Sequence, residues 1–299
     1  MIDFIFSVEF LASTILFTMP ILFAALAALV SNKAGILNIN IEGTMAVSAL
    51  VGSLTSFYTK SWILGILSAI TAGIIMALIL AFAAFKLRTD HILAGIALNT
   101  FTTGVSILVL HFVLGVKGDS SQAPSTIIPN LKIPLLSNIP IVGPVLFSQN
   151  LLVYLGIFMV FMIWWLVKKT KLGLWIQAVG ENPNACRSVG INVNNIKTIS
   201  LMISGILCGF GGAFLSMVYL SYYSVGMVGG RGFIGLAAEA IGTGNPIITA
   251  LFAFLFGMVD YFAIGAQSVL SIPYELLNIL PYLMTVLALI VYSVQKKKH

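Results

Sequence analysis

The sequence predicts an all-α fold: a polytopic transmembrane helical bundle of about nine crossings with broken helices, N-terminus outside and C-terminus cytoplasmic. Three observations predict it. Of 299 residues, 59% are hydrophobic and only 8% charged, so a soluble fold would lack the polar surface to cover its apolar side chains, and lipid has to be the solvent. The charge-poor stretches follow one another with few polar interruptions, which argues for a single domain over 1–299. The basic residues collect at alternate ends of those stretches.

Taken in order, segments with little or no charge run over 10–30, 61–85, 92–116, 151–167, 198–220 and 276–294. Each approaches or exceeds the ~20 residues a helix needs to cross the hydrocarbon. Three further segments are weaker: 35–57 carries Asn38, Asn40 and Glu42, 232–241 is short, and 246–265 carries Asp260. The N-terminus has Asp3 and Glu9 and no basic cluster, so the first segment is expected to stay in the membrane and not to be cleaved as a signal peptide.

Basic residues near helix ends resist translocation, which places Lys296, Lys297 and Lys298 in the cytoplasm. Counting back through nine crossings puts Lys33, Lys86, Arg88 and the basic residues of 168–197 inside as well. Only Lys60, Lys117, Lys132 and Arg231 of the fifteen basic residues are left outside. The segment 117–149 then lies outside. Its Pro124, Pro129, Pro134, Pro140 and Pro144 deny it a regular spanning helix, and it is expected to form an external flap.

Composition also excludes function classes. The net charge of +6 comes with no basic stripe interleaved with aromatics, so no nucleic-acid partner is expected. Cys186 and Cys208 form no metal or redox spacing and read as packing residues. His91 and His111 have no carboxylate in a ligating register, so no metal is assigned. An intramembrane enzyme would need a paired nucleophile and base, paired carboxylates or a metal cluster, and no such constellation is written here.

The cytoplasmic stretch 168–197 is more specific. Within it Asn182 is suited to accept from the free amides of a helix start, Pro183 fits the first helical position, and Gly190 can take the left-handed terminating conformation. A helix of about two turns is predicted between them. Such a rod has no apolar core of its own, so it either docks on another protein or connects two spans.

The pattern A-V-G-E-N-P, small residues, then G-I-N-V resembles the cytoplasmic coupling segment of bacterial ABC importer permeases of the branched-chain amino acid, ribose and nucleoside family. Other pieces agree in order: G-I-L-N-I-N-I-E-G from Gly35, D-H-I-L-A-G-I-A-L-N from Asp90, and G-F-I-G-L-A from Gly232 followed by G-N-P at Gly244. The resemblance covers nearly the whole chain and is nearest to the nucleoside (simple-sugar) type.

That resemblance implies a permease subunit that translocates nucleosides or related simple sugars across the bacterial cytoplasmic (inner) membrane. It implies three partners: a second homologous permease subunit, cytoplasmic ATP-binding subunits and an external substrate-binding lipoprotein. Glu181, Asn182, Pro183, Arg187 and Gly190 would form the coupling contact, with Arg187 as its charged element. The chain has no G-x-x-x-x-G-K-S/T stretch, the backbone cradle for nucleotide phosphates. No ATPase activity and no cofactor are therefore expected of it, ATP being bound by the partners.

Ionisable groups at membrane depth cost roughly 2.5 to 3.5 kcal/mol at mid-helix on translocon scales and usually face a cavity or a partner. Glu42, following Asn38 and Asn40, and Glu239, preceding Asn245, sit in broken segments in the two halves of the chain. Interrupted segments of this kind tend to line a binding route, and Asn99 adds a further polar position. Against lining the route, it stays open that the two glutamates satisfy backbone groups freed by the breaks, or lie at the interface. Asn99 suits helix-to-helix hydrogen bonding, and Asp260 is expected at the interface. Gly205 and Gly209 form a small-xxx-small pair that permits close helix approach.

A self-sufficient secondary transporter or channel for small polar solutes is the competing reading, with the same glutamates as ion-coupling sites. It leaves the capped cytoplasmic helix without a purpose.

Overall fold

The computed structural model describes residues 8–131, 143, 145 and 147–269, with the side chains of 266–269 left aside. The expected span 276–294, the C-terminal lysines, Asp3, Lys132, Pro134, Pro140 and Pro144 lie outside the described residues. The described chain is helical: α1 (Val8–Lys33), α2 (Ile41–Thr59), α3 (Trp62–Ala81), α4 (His91–Leu114), α5 (Leu151–Lys169), α6 (Lys171–Glu181), α7 (Pro183–Ser188), α8 (Val193–Phe214), α9 (Arg231–Gly242) and α10 (Pro246–Val269). Helices α3 and α8 each end in a π turn, Phe82–Lys86 and Leu215–Tyr219. Among the described residues, six helices are long and apolar enough to cross a membrane.

α1 is apolar all round, and such a helix belongs in the centre of a bundle. It packs against α8, α9, α10 and α5, and Ala24 to Val30 are entirely buried. α8 is the second central element, packed on α2, α3 and α1.

Glycine sets how closely α3 and α8 approach. A Cβ on Gly205 would overlap the Gly73 carbonyl, and one on Gly209 would fall 2.6 Å from Ile70 Cα. With no hydrophobic drive between helices in lipid, such backbone contact is what holds them together. Gly205→Val is expected to cost at least the ~1–3 kcal/mol of an overpacked core, read as a lower thermal midpoint of the detergent-solubilised protein.

Polar caps mark the helix starts. Asp90 accepts from the Ile92 and Leu93 amides at 2.8 and 3.1 Å, and the Leu93 and Ile92 amides hold its carboxyl below the usual range. Asn150 and Asn192 cap α5 and α8 in the same way.

Two expectations change. The second span starts at Ile41 and not at Gly35, because Asn38 and Asn40 form a local turn that competes with the helix. The described part of 117–149 is not a flap: Ser120, Ala123, Ser125 and Ile128 are buried. Ser120 and Ser125 donate their amides to the Tyr223 and Ser221 carbonyls at 2.7 and 2.8 Å, which ties this stretch to the chain that follows α8.

Candidate functional site

Residues 34–40 are two turns, 34–35 and 39–40, around a short non-helical stretch, with Gly35 at φ +72°; they bury Ala34, Ile36, Asn38 and Asn40 and expose Gly35 and Leu37. Non-helical backbone inside a bundle leaves amides and carbonyls without helical partners, and side chains have to supply them. Asn38 Oδ1 accepts from the Asn40 amide at 3.1 Å, and its Nδ2 donates to Ser204 Oγ at 3.2 Å. From α4, Asn99 Oδ1 accepts from the Gly43 amide at 2.8 Å, and its Nδ2 donates to the Ile39 carbonyl at 2.9 Å. A Cβ on Gly43 would fall 2.7 Å from Asn99 Oδ1, so this brace requires glycine there. Asn40 Nδ2 donates to Thr44 Oγ1 at 3.1 Å, while its Oδ1 is buried without a partner among the described residues.

Glu42, in the first turn of α2, caps a second helix. Its Oε1 accepts from the Gly230 amide at 2.7 Å and its Oε2 from the Gly232 amide at 2.8 Å. A carboxylate at two helix N-termini also opposes their dipoles favourably. The two helices leave this junction in opposite directions. α2 follows α8 past Gly212, where a Cβ would meet Met45 and Ala49, while α9 follows α1 from Ala24 beside Gly235 to Asn32 beside Glu239. Ser204 lies midway along α8, so both helices begin midway through the bundle.

Glu239 lies eight residues past the start of α9, about 12 Å along it. It is 4% exposed and accepts from Asn32 Nδ2 at 2.9 Å. It borders a pocket of about 460 Å³ shared with Lys33, Gln177, Gly180, Glu181 and Thr243. Asn245 Oδ1 accepts from the Ile247 amide at 3.1 Å and so starts α10. The six positions expected along a route therefore gather at two junctions: Asn38, Asn40, Glu42 and Asn99 at one, Glu239 and Asn245 at the other.

The residues expected to form the coupling contact fall on a bent pair of helices. Glu181 ends α6; Asn182 Oδ1 accepts from the Ala185 amide at 3.0 Å, Pro183 opens α7, and Gly190 closes the unit at φ +83°. Arg187 is exposed and donates to Asn184 Oδ1 at 3.1 Å. The eleven residues of α6 were not anticipated, although Thr170, which accepts from the Gly173 amide at 3.0 Å, is a readable cap. α6 is joined rigidly to the rest: a Cβ on Gly180 would overlap the Lys33 carbonyl and lie 3.1 Å from the Gly35 amide.

Arg231, expected outside, and Asp260, expected at the interface, form an ion pair at 2.9 Å with side chains 12% and 16% exposed. Arg231 also lies 5.4 Å from the centre of the Tyr219 ring. Charges that cannot be solvated inside a bundle pair with each other. The signal was a lone cation and a lone anion, each in an apolar run.

Two helices starting mid-bundle beside a capped helix pair packed backbone to backbone belong to a polytopic helical protein, and its relatives place it among the multi-pass ABC permeases of the bacterial cytoplasmic membrane. Residues 10–289 match the family described as branched-chain amino acid transport system / permease component, and the chain belongs to that family. It is 33% identical over 293 residues to the nucleoside ABC transporter permease protein NupC of Lactococcus lactis subsp. cremoris, covering 94% of this chain and 91% of that one. It is 32% identical over 291 residues to the guanosine ABC transporter permease protein NupQ of Bacillus subtilis, covering 93% and 89%. The fold matches a solved metal-chelate type ABC transporter in an inward-facing conformation at a TM-score of 0.53 and 18% identity, over 98% of this chain and 88% of that one. The chain is thus a permease subunit of an ABC importer, working with ATP-binding and permease partners.

Proposed function

We propose that this subunit moves nucleosides across the membrane as one half of a two-permease importer, with 1–299 acting as one domain. Substrate arrives from an external binding lipoprotein, and ATP is bound and hydrolysed on separate cytoplasmic subunits, so that the chain itself needs no cofactor. In this reading the bundle has nine crossings, its N-terminus is outside, and the end holding Lys33, Lys86 and 168–197 faces the cytoplasm. The nucleoside assignment is supported by the two relatives named above.

One observation carries the coupling mechanism. Gly180 packs backbone to backbone on the Lys33–Gly35 elbow, and that elbow leads directly into the α2 break. Motion imposed on α7 is thereby delivered through α6 to Asn38 and Asn40 without a flexible link. α7 and the residue that caps it present Arg187 and Val189, the latter 75% exposed, as a charged and an apolar contact for the ATP-binding partner.

Arg187→Glu reverses the charge at that contact. In proteoliposomes containing the full set of subunits, ATP-driven nucleoside uptake is expected to fall at least tenfold while the chain stays in the membrane at normal abundance. Uptake by the isolated chain under a proton or sodium gradient would overturn the importer mechanism in favour of a secondary transporter.

A further inference from the structure

Beside the coupling helices, a cationic pocket adjoins an apolar groove. The pocket, about 490 Å³, is lined by Arg88, Arg187 and Lys197 together with Phe85, Val193 and Asn194. The groove, about 480 Å³, is lined by Leu78, Ala81, Phe82, Phe85, Lys86 and Asn194. Phe85 and Asn194 border both, so the two lie side by side. No carboxylate lines either, and Arg231–Asp260 is the one ion pair among the described residues. Three cations thus converge without a counter-charge, and like charges held together favour an anion between them.

The backbone is shaped around this place. The π turn Phe82–Lys86 widens the end of α3, with the Leu87 amide donating to the Phe82 carbonyl at 3.1 Å, and π turns of this kind concentrate at functional sites. Arg88 has φ +57°, a conformation that costs a residue with a side chain energy unless its surroundings require it.

We infer that this groove binds one anionic phospholipid, its phosphate on Arg88 and Lys197 and an acyl chain over Leu78, Phe82 and Phe85, with Arg187 left to the ATP-binding partner. The apolar groove decides between occupants. Phe82, 56% exposed, and Leu78, 41% exposed, stand on a membrane-spanning helix bordered by acyl chains, so a headgroup on the cations lies beside its own chain, which a carboxylate of the ATP-binding partner or a free phosphate lacks. Basic pockets between spanning helices at the membrane surface recognise anionic headgroups in this way. The bound lipid would stand between α3 and the α7–α8 turn, where it would set the freedom of the coupling unit.

The test is native mass spectrometry of the assembled importer in detergent, titrated with phosphatidylglycerol or with phosphatidylcholine of the same chains. One phosphatidylglycerol is expected to be retained per copy of this chain, at least tenfold over phosphatidylcholine, a comparison that needs no variant. The double change Arg88→Gln and Lys197→Gln is expected to abolish that preference, and Arg88→Lys with Lys197→Arg to keep it. Equal retention of the two lipids overturns the inference, as does displacement by glycerol 3-phosphate at the same concentration, which would mark a bare anion site. Dissociation of the ATP-binding subunit from the double-Gln variant with phosphatidylglycerol still bound would assign the cations to that subunit, and it too would overturn the inference.

Discussion

Glu42→Ala is expected to unfold the centre of the bundle. The carboxylate accepts the Gly230 and Gly232 amides at 2.7 and 2.8 Å. Its removal strands two donors at the start of α9. Each unsatisfied buried group costs ~1–3 kcal/mol, so the loss is roughly 2 to 6 kcal/mol, a large fraction of the ~5–15 kcal/mol that holds a domain together. Glu42→Gln keeps one acceptor oxygen and should fall between. The pair separates the two roles open for this residue. With a supporting role, uptake per folded molecule stays near wild type in the Gln variant, and the thermal midpoint carries the whole effect. With a role in the route, the Gln variant shows the same intermediate thermal midpoint but its uptake per folded molecule falls as well.

Gly180→Val is expected to disconnect the motor. No side chain fits between α6 and the Lys33 carbonyl, so α6 has to move off the elbow that leads into Asn38 and Asn40. ATP-driven uptake should fall at least tenfold, while ATP hydrolysis by the assembled complex stays within about twofold, because α7 and its exposed contact are untouched. The shift asked of the core is of the overpacking kind, ~1–3 kcal/mol. Gly104, on α4 with nothing within 4 Å of a built Cβ, is the control: Gly104→Ala should transport normally. Retained coupling in Gly180→Val would mean that the helix pair only connects α5 to α8.

Local chemistry was legible along the chain. The Asn182 cap, Pro183 at the first helical position and Gly190 at φ +83° all lie within nine residues of one another, so their hydrogen bonds follow from spacing. The Gly205 and Gly209 pair was readable for the same reason. The partners of the buried polar groups were not. Glu42 meets Gly230, and Asn32 meets Glu239, across separations of 188 and 207 residues. Nothing local to Arg231 points to Asp260, 29 positions on.

Composition and local spacing are enough to put this chain in lipid, to place most of its helix ends and to find the capped rod between them. Which helix is central depends on contacts between distant segments. The most apolar windows of α1 and α5 have the same mean hydropathy, 2.2, yet 83% of one and 33% of the other is buried. The reason is physical: in water, polarity separates the outside of a helix from its inside, but lipid is as apolar as the core. What sorts helices there is backbone approach at glycine and the pairing of stranded polar groups, and both exist only between segments far apart in the chain.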